Sequence, residues 1–226
     1  MPHIHSAIQS IISSIGIPGG AAEAKEGQRL VVCISRDYGC GGETIGKKLA
    51  ERLGVRYFSK EVLEKIVERT HMDAEVVKTL EEKTQKARDL WLYSLFTGKD
   101  ASADTYKRHM VNIILSLSRV GGVIVGRGSH VILGHTKALR VRLIGTLDKC
   151  AQRVAHEDSI SFEEAKHRIQ EHNAQRGKYV WEMFHSRLND PAAFDLVVNV
   201  DRLGDIEHVT EMLADAAKAV TEGTNL

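Results

Sequence analysis

Residues Ser35 to Thr44 read Ser-Arg-Asp-Tyr-Gly-Cys-Gly-Gly-Glu-Thr, three glycines in four positions flanked by a cation and two carboxylates. Gly39, Gly41 and Gly42 admit backbone conformations closed to other residues and let a ligand approach the main chain. Amide N–H groups turned inward there form an anion cradle, and a helix starting at the end of the run adds partial positive charge. The chemistry this suggests is phosphate binding by Tyr38, Gly39, Cys40, Gly41, Gly42, Glu43 and Thr44; the same run also serves as a tight turn between packed elements. Arg36 and Arg127 each follow a buried apolar stretch and are the nearest candidates to balance phosphate charge. Cys40, at a helix N-terminus, is either a redox handle with a lowered pKa or a small residue that fits the loop.

The elements that must position these groups follow from hydrophobic spacing. Leu30 to Ile34 is a continuous apolar run, as in a strand buried on both faces. Ile45, Leu49 and Leu53, with Ala50, mark a helix that ends at Gly54. Val55–Phe58 is the next strand, and Val62, Leu63, Ile66 and Val67 predict a second helix. Val76, Val77 and Leu80 support another; Trp91–Phe96 is helix or lid-like loop; Gly98–Asp104 reads as loop; Met110, Val111, Ile114 and Leu117 mark a further helix. Val123–Val125, Val141 with Leu143, and Leu196–Val200 are later strands. Helices are expected over about 147–156, from the capping pair Ser161 and Glu164 onward, and from Ile206 to Val220. Strands alternating with helices imply an α/β fold: a three-layer α/β/α arrangement on a parallel sheet of five strands. Ile4, Ile8, Ile11 and Ile15 form an N-terminal apolar stripe that ends at Pro18–Gly20, a docking or dimer-forming helix or one packed on its own domain. We divide the chain into a helix and linker over 1–28 and a domain over 29–226.

The usual phosphate loop, GxxxxGK[ST], is only partly met. Aligned on Gly41, the first glycine is Arg36, the lysine is Gly42, and Glu43 takes the hydroxyl position with Thr44 one step later. The lysine normally offsets terminal phosphate charge, so a substitute cation is required. Arg36 and Arg127 are placed for this at the carboxyl ends of strands, where ligands bind in such sheets. Lys47 and Lys48 are alternatives, or solvated helix residues. Thr44 or Glu43 is expected to ligate a magnesium ion brought by ATP.

Bulk properties narrow the field. A net charge of +1 over 226 residues gives no global signature for nucleic acid, so phosphate chemistry rests on local arginines. Three cysteines, Cys33, Cys40 and Cys150, form no CxxC pair, which argues against a disulfide framework or zinc site and fits a reducing, cytoplasmic setting. The interrupted N-terminal stripe is a poor leader and too polar to span a membrane. Eleven histidines fall in no compact metal pattern.

The segment ISRDYGCGGETIGKKLAERLGVRYFSKEVLEKI resembles the opening of cytidylate kinase-like proteins, relatives of nucleoside monophosphate kinases with a phosphate-loop fold and a helical lid. VIVGRGSHVIL is similar to the strand-end segment whose arginine helps hold the nucleoside monophosphate. Arg127 matches that arginine, with Val125 and Gly128 in place of the flanking acids. LRVRLIGTLDKCAQRVA continues the resemblance, Arg153 matching a recurring arginine of the helix that enters the lid. EHNAQRGKYVWEMF matches the lid helix and FDLVVNVDRLG the final strand. The likeness spans about residues 30 to 220 and implies a lid over about 157–190. It implies that Arg176 stabilises the transferring phosphoryl group, with Arg127, Arg153 and Arg168 binding substrate. The expected activity is ATP- and magnesium-dependent phosphorylation of a CMP-like acceptor. Alternatives are a non-catalytic nucleotide-binding regulator and a kinase of another small acceptor. Neither nucleic acid nor membrane is an expected partner; the N-terminal helix leaves two readings open, self-association or packing on its own domain.

Overall fold

A computed structural model describes residues 30–72, 101–203 and 205–222. The chain forms strand β1 (Val31–Arg36), helix α1 (Gly42–Leu53), β2 (Tyr57–Phe58), α2 (Lys60–Met72), α3 (Ala101–Val120), β3 (Gly122–Val125) and a one-turn α4 (Ser129–Ile132). There follow β4 (Leu139–Ile144), α5 (Leu147–Asp158), α6 (Phe162–Phe184), a 3₁₀ turn over Pro191–Ala193, β5 (Leu196–Asn199), α7 (Val200–Leu203) and α8 (Ile206–Glu222). The five strands order as β2-β3-β1-β4-β5, and every pairing is parallel. β1 lies at the centre, with Cys33 opposite Ile124 on one side and Ile34 opposite Val141 on the other. Its apolar run follows from that position, since both faces are covered.

Two cores flank the sheet. On one face Phe58, Leu63, Met110, Ile114 and Leu117 bring α2 and α3 against Cys33 and Ile124. On the other, Ile45 and Leu49 of α1, Val154 of α5 and Val209 and Leu213 of α8 cover Val32, Ile34 and Val141. Each such fully buried aliphatic side chain contributes about 1.5–3 kcal/mol. Helix α6 belongs to both. Ala165 and Ile169, near its start, pack in the α1–α5–α8 core, while Val180 and Phe184, near its end, pack in the other. Its middle turns therefore cross above the carboxyl edge of the sheet. Ser161 caps it by accepting from Glu164 N at 3.2 Å, and Glu163 and Glu164 lie in its first turn, where acids complement the helix dipole.

Several boundaries differ from the sequence expectation. The expected loop over 98–104 is helical from Ala101, because Ala-Ser-Ala-Asp carries no apolar period that would reveal a helix start. Strand β2 is two residues, Tyr57–Phe58, rather than four. Val200 ends no strand but opens α7. The helix expected around 76–80, the Trp91–Phe96 stretch and the isoleucine-striped N-terminus lie outside the described residues. Among the described residues no helix is long and apolar enough to cross a membrane.

Candidate phosphate-binding site

The turn leaves β1 at Arg36 and enters α1 at Gly42. Gly39 and Gly41 hold φ of +80° and +65°, left-handed values that favour glycine. A Cβ on Gly39 would lie 2.9 Å from both the Cβ and the carbonyl oxygen of Cys150, so the turn is seated directly on α5. A Cβ on Gly42 would lie 2.7 Å from Arg36 Cγ, and one on Gly126 would lie 2.8 Å from Arg36 Nη1. Two glycines, one on each neighbouring element, thus make room for one arginine. The Arg36 stem lies over the position where a phosphate loop usually carries lysine, and its guanidinium reaches the end of β3. That side chain is 11% exposed; Nη2 donates to Glu43 Oε1 at 3.2 Å, and Nε is buried with no protein partner.

Opposite stands the turn after β3. Gly126, Arg127 and Gly128 take φ of +84°, +53° and +69° in succession. Arg127 is not glycine, and a left-handed conformation costs such a residue about 1–2 kcal/mol. The conformation is fixed from below, because a Cβ on Gly128 would fall 2.2 Å from Phe184 of α6. Arg127 pairs with Glu64 of α2 and lies 4.8 Å over the Tyr179 ring, while its Nε has no protein partner. His130, 3% exposed, stacks on Phe194 with ring centroids 4.6 Å apart. Burial, with Arg142 and Arg140 nearby, lowers its pKa to about 4, so it is neutral at physiological pH.

Helix α6 closes the space from above with three residues of one face. Asn173 Oδ1 accepts from Tyr38 N at 2.8 Å, the His172 ring stacks on Tyr38 at 4.4 Å, and Arg176 Nη1 donates to the Arg36 carbonyl at 3.2 Å. Burial and the neighbouring Arg36 lower the Arg176 pKa to about 10, which leaves it cationic at neutral pH. Arg36, Arg127 and Arg176 line one cavity of about 360 Å³ with Lys60, Glu43 and Glu61. Ser59 donates to the Glu61 carboxylate and holds its pKa low. Three clustered guanidiniums, two with an unpartnered Nε, suit a polyanion with several oxygens.

The other sequence candidates lie elsewhere. Arg153 donates through Nη1 to the Gly39 carbonyl at 2.9 Å and pairs with Asp201, bracing the turn from the side of α5. Arg168 pairs with Asp158 and with Glu164, one turn earlier on its own helix, and does not line the cavity. Thr44 is exposed on the first turn of α1. Lys48 pairs with Glu207 of α8. Sequence reasoning missed Asn173 and His172; their spacing of three and four residues from Arg176 is the signal that would have placed them on its helix face. It also missed Glu64 and Asp201, whose pairing with distant arginines leaves no local trace.

A family model described as the cytidylate kinase-like family matches residues 31–202. A cytidylate kinase of Ignicoccus hospitalis is 31% identical over 193 residues, covering 81% of this chain and 98% of its own. One from Methanopyrus kandleri is 27% identical over 182 residues, covering 79% and 88%. Among solved structures, an uncharacterized protein from Eubacterium ventriosum superposes with a TM-score of 0.65 at 20% identity, over 84% of this chain and 99% of that one, a likeness of fold alone.

Proposed function

We propose, from the premise that this chain belongs to the cytidylate kinase-like family, that it transfers the terminal phosphoryl group of ATP to a nucleoside monophosphate, with CMP the first acceptor to test. The observation that carries the reading is the placement of Arg36. Its stem occupies the ground that Gly42 vacates, and its guanidinium meets the end of β3 beside Arg127. A permanent cation therefore stands where the missing lysine would act.

The roles follow from charge and position. Turn amides from Gly39 to Thr44 cradle donor phosphates. Arg36 offsets charge between donor and acceptor. Arg127, held by Glu64 and Tyr179, faces the acceptor phosphate, and Arg176 descends from α6 onto the group in transfer. Such a reaction is accelerated by positioning and charge stabilisation, with little covalent help from the protein. Closure by α6 excludes water and limits hydrolysis. Glu43, on the cavity wall, offers a carboxylate, a hard oxygen donor that fits magnesium. When bound with ATP, magnesium neutralises phosphate charge. Arg153 and Arg168 take no substrate role in this scheme.

The test is a coupled assay with ATP, magnesium and CMP, dCMP, UMP or AMP. Turnover is expected, fastest with a cytidine nucleotide, and Arg36→Met is expected to lower kcat about 100-fold or more. One observation favours a regulatory nucleotide-binding module instead: Glu43 already engages the substitute cation. ATP binding without turnover of any acceptor would select that reading.

A further inference from the structure

The phosphate turn carries a second chemistry that phosphoryl transfer does not use. Cys40 lies within the turn and Cys150 on the first exposed-to-buried turn of α5, 110 residues later, with their sulfurs 3.6 Å apart. Both are buried, at 2% and 1% exposure. The contact is undivided because the residue beside it is Gly145, whose Cβ would lie 2.9 Å from Cys150 Sγ and 3.2 Å from Cys40 Sγ. Arg153, which braces Gly39, also places Nη1 3.6 Å from Cys150 Sγ. Cys33 has none of these features; it is wholly buried in β1.

We propose that Cys40 and Cys150 form a reversible dithiol–disulfide couple, oxidised by a hydroperoxide, that closes the phosphate turn to nucleotide. The regulatory half rests on the phosphate-binding reading above; the disulfide itself does not. Oxidation proceeds in two steps. The Cys150 thiolate attacks one peroxide oxygen, the O–O bond breaks, and Cys150 becomes a sulfenic acid as hydroxide leaves. The Cys40 sulfur then attacks the Cys150 sulfur, its proton neutralises the departing hydroxide, and the S–S bond forms. Two thiols and one hydrogen peroxide give one disulfide and two waters, and a dithiol reductant reverses the change. Cys150 is the better attacking sulfur, because the Arg153 guanidinium stands beside it and favours its thiolate. Burial raises the Cys33 thiol to about 12 and keeps it out of the reaction.

The consequence for the turn is steric. Bonding brings the sulfurs to about 2.05 Å, drawing the turn toward α5. Gly39 is seated on Cys150, so the pull passes directly to the turn. The amides between Gly39 and Gly42 must turn away from the geometry that receives phosphate. Since both sulfurs are buried, peroxide gains access when the turn lifts, so nucleotide that holds the turn should slow oxidation.

The experiment treats the full chain with hydrogen peroxide, blocks free thiols with iodoacetamide in denaturant without reductant, and maps the peptides by mass. The expected result is a Cys40–Cys150 linked pair with Cys33 alkylated. ATP binding should weaken about tenfold or more, which is about 1.4 kcal/mol, and dithiothreitol should restore it. Cys150→Ser should bind ATP identically before and after peroxide. Alkylation of all three cysteines after oxidation, or linkage through Cys33, overturns the proposal. A Cys40–Cys150 bond that leaves ATP affinity unchanged overturns its regulatory half. Reduced protein that ignores ATP defeats the phosphate-site reading instead, while the peptide map still decides the disulfide.

Discussion

The turn after β1 and the turn after β3 face each other across one cavity, and both use left-handed glycines before a helix, yet their anchors differ in kind. The first has one packed point, Gly39 on Cys150, and is otherwise held by polar contacts from distant elements: Asn173 and Arg176 of α6 on its opening residues, Arg153 on Gly39. The second is held by packing, with Phe184 beneath Gly128 and His130 stacked on Phe194. Hydrogen bonds of this sort contribute about 0.5–1.5 kcal/mol each and can be exchanged for bonds to a ligand. A close-packed contact cannot be exchanged and resists any change of shape. The pair therefore combines a turn whose polar contacts can be exchanged with a fixed one that presents Arg127 in a constant place.

The strongest way to break this comparison is to remove the group that joins the turns. Arg36→Gly should lower kcat about 100- to 1,000-fold, equivalent to about 2.7–4 kcal/mol in the transition state. Gly42→Lys alone should destabilise, because the new side chain enters the Arg36 stem. The double variant restores the usual lysine arrangement and should recover much of the lost rate, a coupling that steady-state kinetics on all four proteins would expose.

Next in size, Gly128→Ala should cost about 3 kcal/mol in urea unfolding, combining left-handed strain with intrusion on Phe184. Gly54, at φ +64° with nothing within 4 Å of an added Cβ, is the control; Gly54→Ala should lose only about 1 kcal/mol. Equal losses at both sites would refute the packing account of the second turn.

A smaller effect should appear with acid. The folded pKa of His130, about 4, lies below its unfolded value of about 6.5. Between those values the unfolded chain binds the additional proton, so stability is complete above about pH 6.5 and falls as pH drops toward 4. Near pH 5 the loss should be about 2 kcal/mol, and His130→Asn should remove that part of the slope in urea titrations at several pH values. Smallest, Asn173→Ala should cost the first turn one hydrogen bond, about 1 kcal/mol. It should raise KM for ATP about fivefold with kcat nearly unchanged. A fall in kcat alone would show that Asn173 acts on chemistry rather than on the turn.

Much of this arrangement was legible in the chain, for a physical reason. β1 is buried on both faces and so reads as an unbroken apolar run, and α1 faces one core and so reads at a period near four. Arg36 and Arg127 could be placed at strand ends because those ends are visible in the same pattern, and the structure brings both to one cavity. What lay hidden depended on contacts distant in sequence. Gly126 is needed because Arg36 reaches across to it, and no local spacing records that. Arg153 sits on a recognisable helix, but spacing does not reveal that its guanidinium meets Gly39 and Asp201. Asn173 stands in a charged, solvent-like stretch whose contact face appears only when α6 crosses the sheet. Helices α4 and α7, four residues each, are too short to show any period.

That crossing has a mechanical consequence. A beam clamped in two separate foundations cannot swing like a hinged door; it must bow between its supports or pull one end free. The weakest point of α6 is Gly177, whose missing side chain would meet nothing within 4 Å and whose presence costs helix stability of about 1 kcal/mol. Any movement of the beam is thereby tied to the cohesion of the two layers it braces, and whatever loosens either layer will also free the span between them.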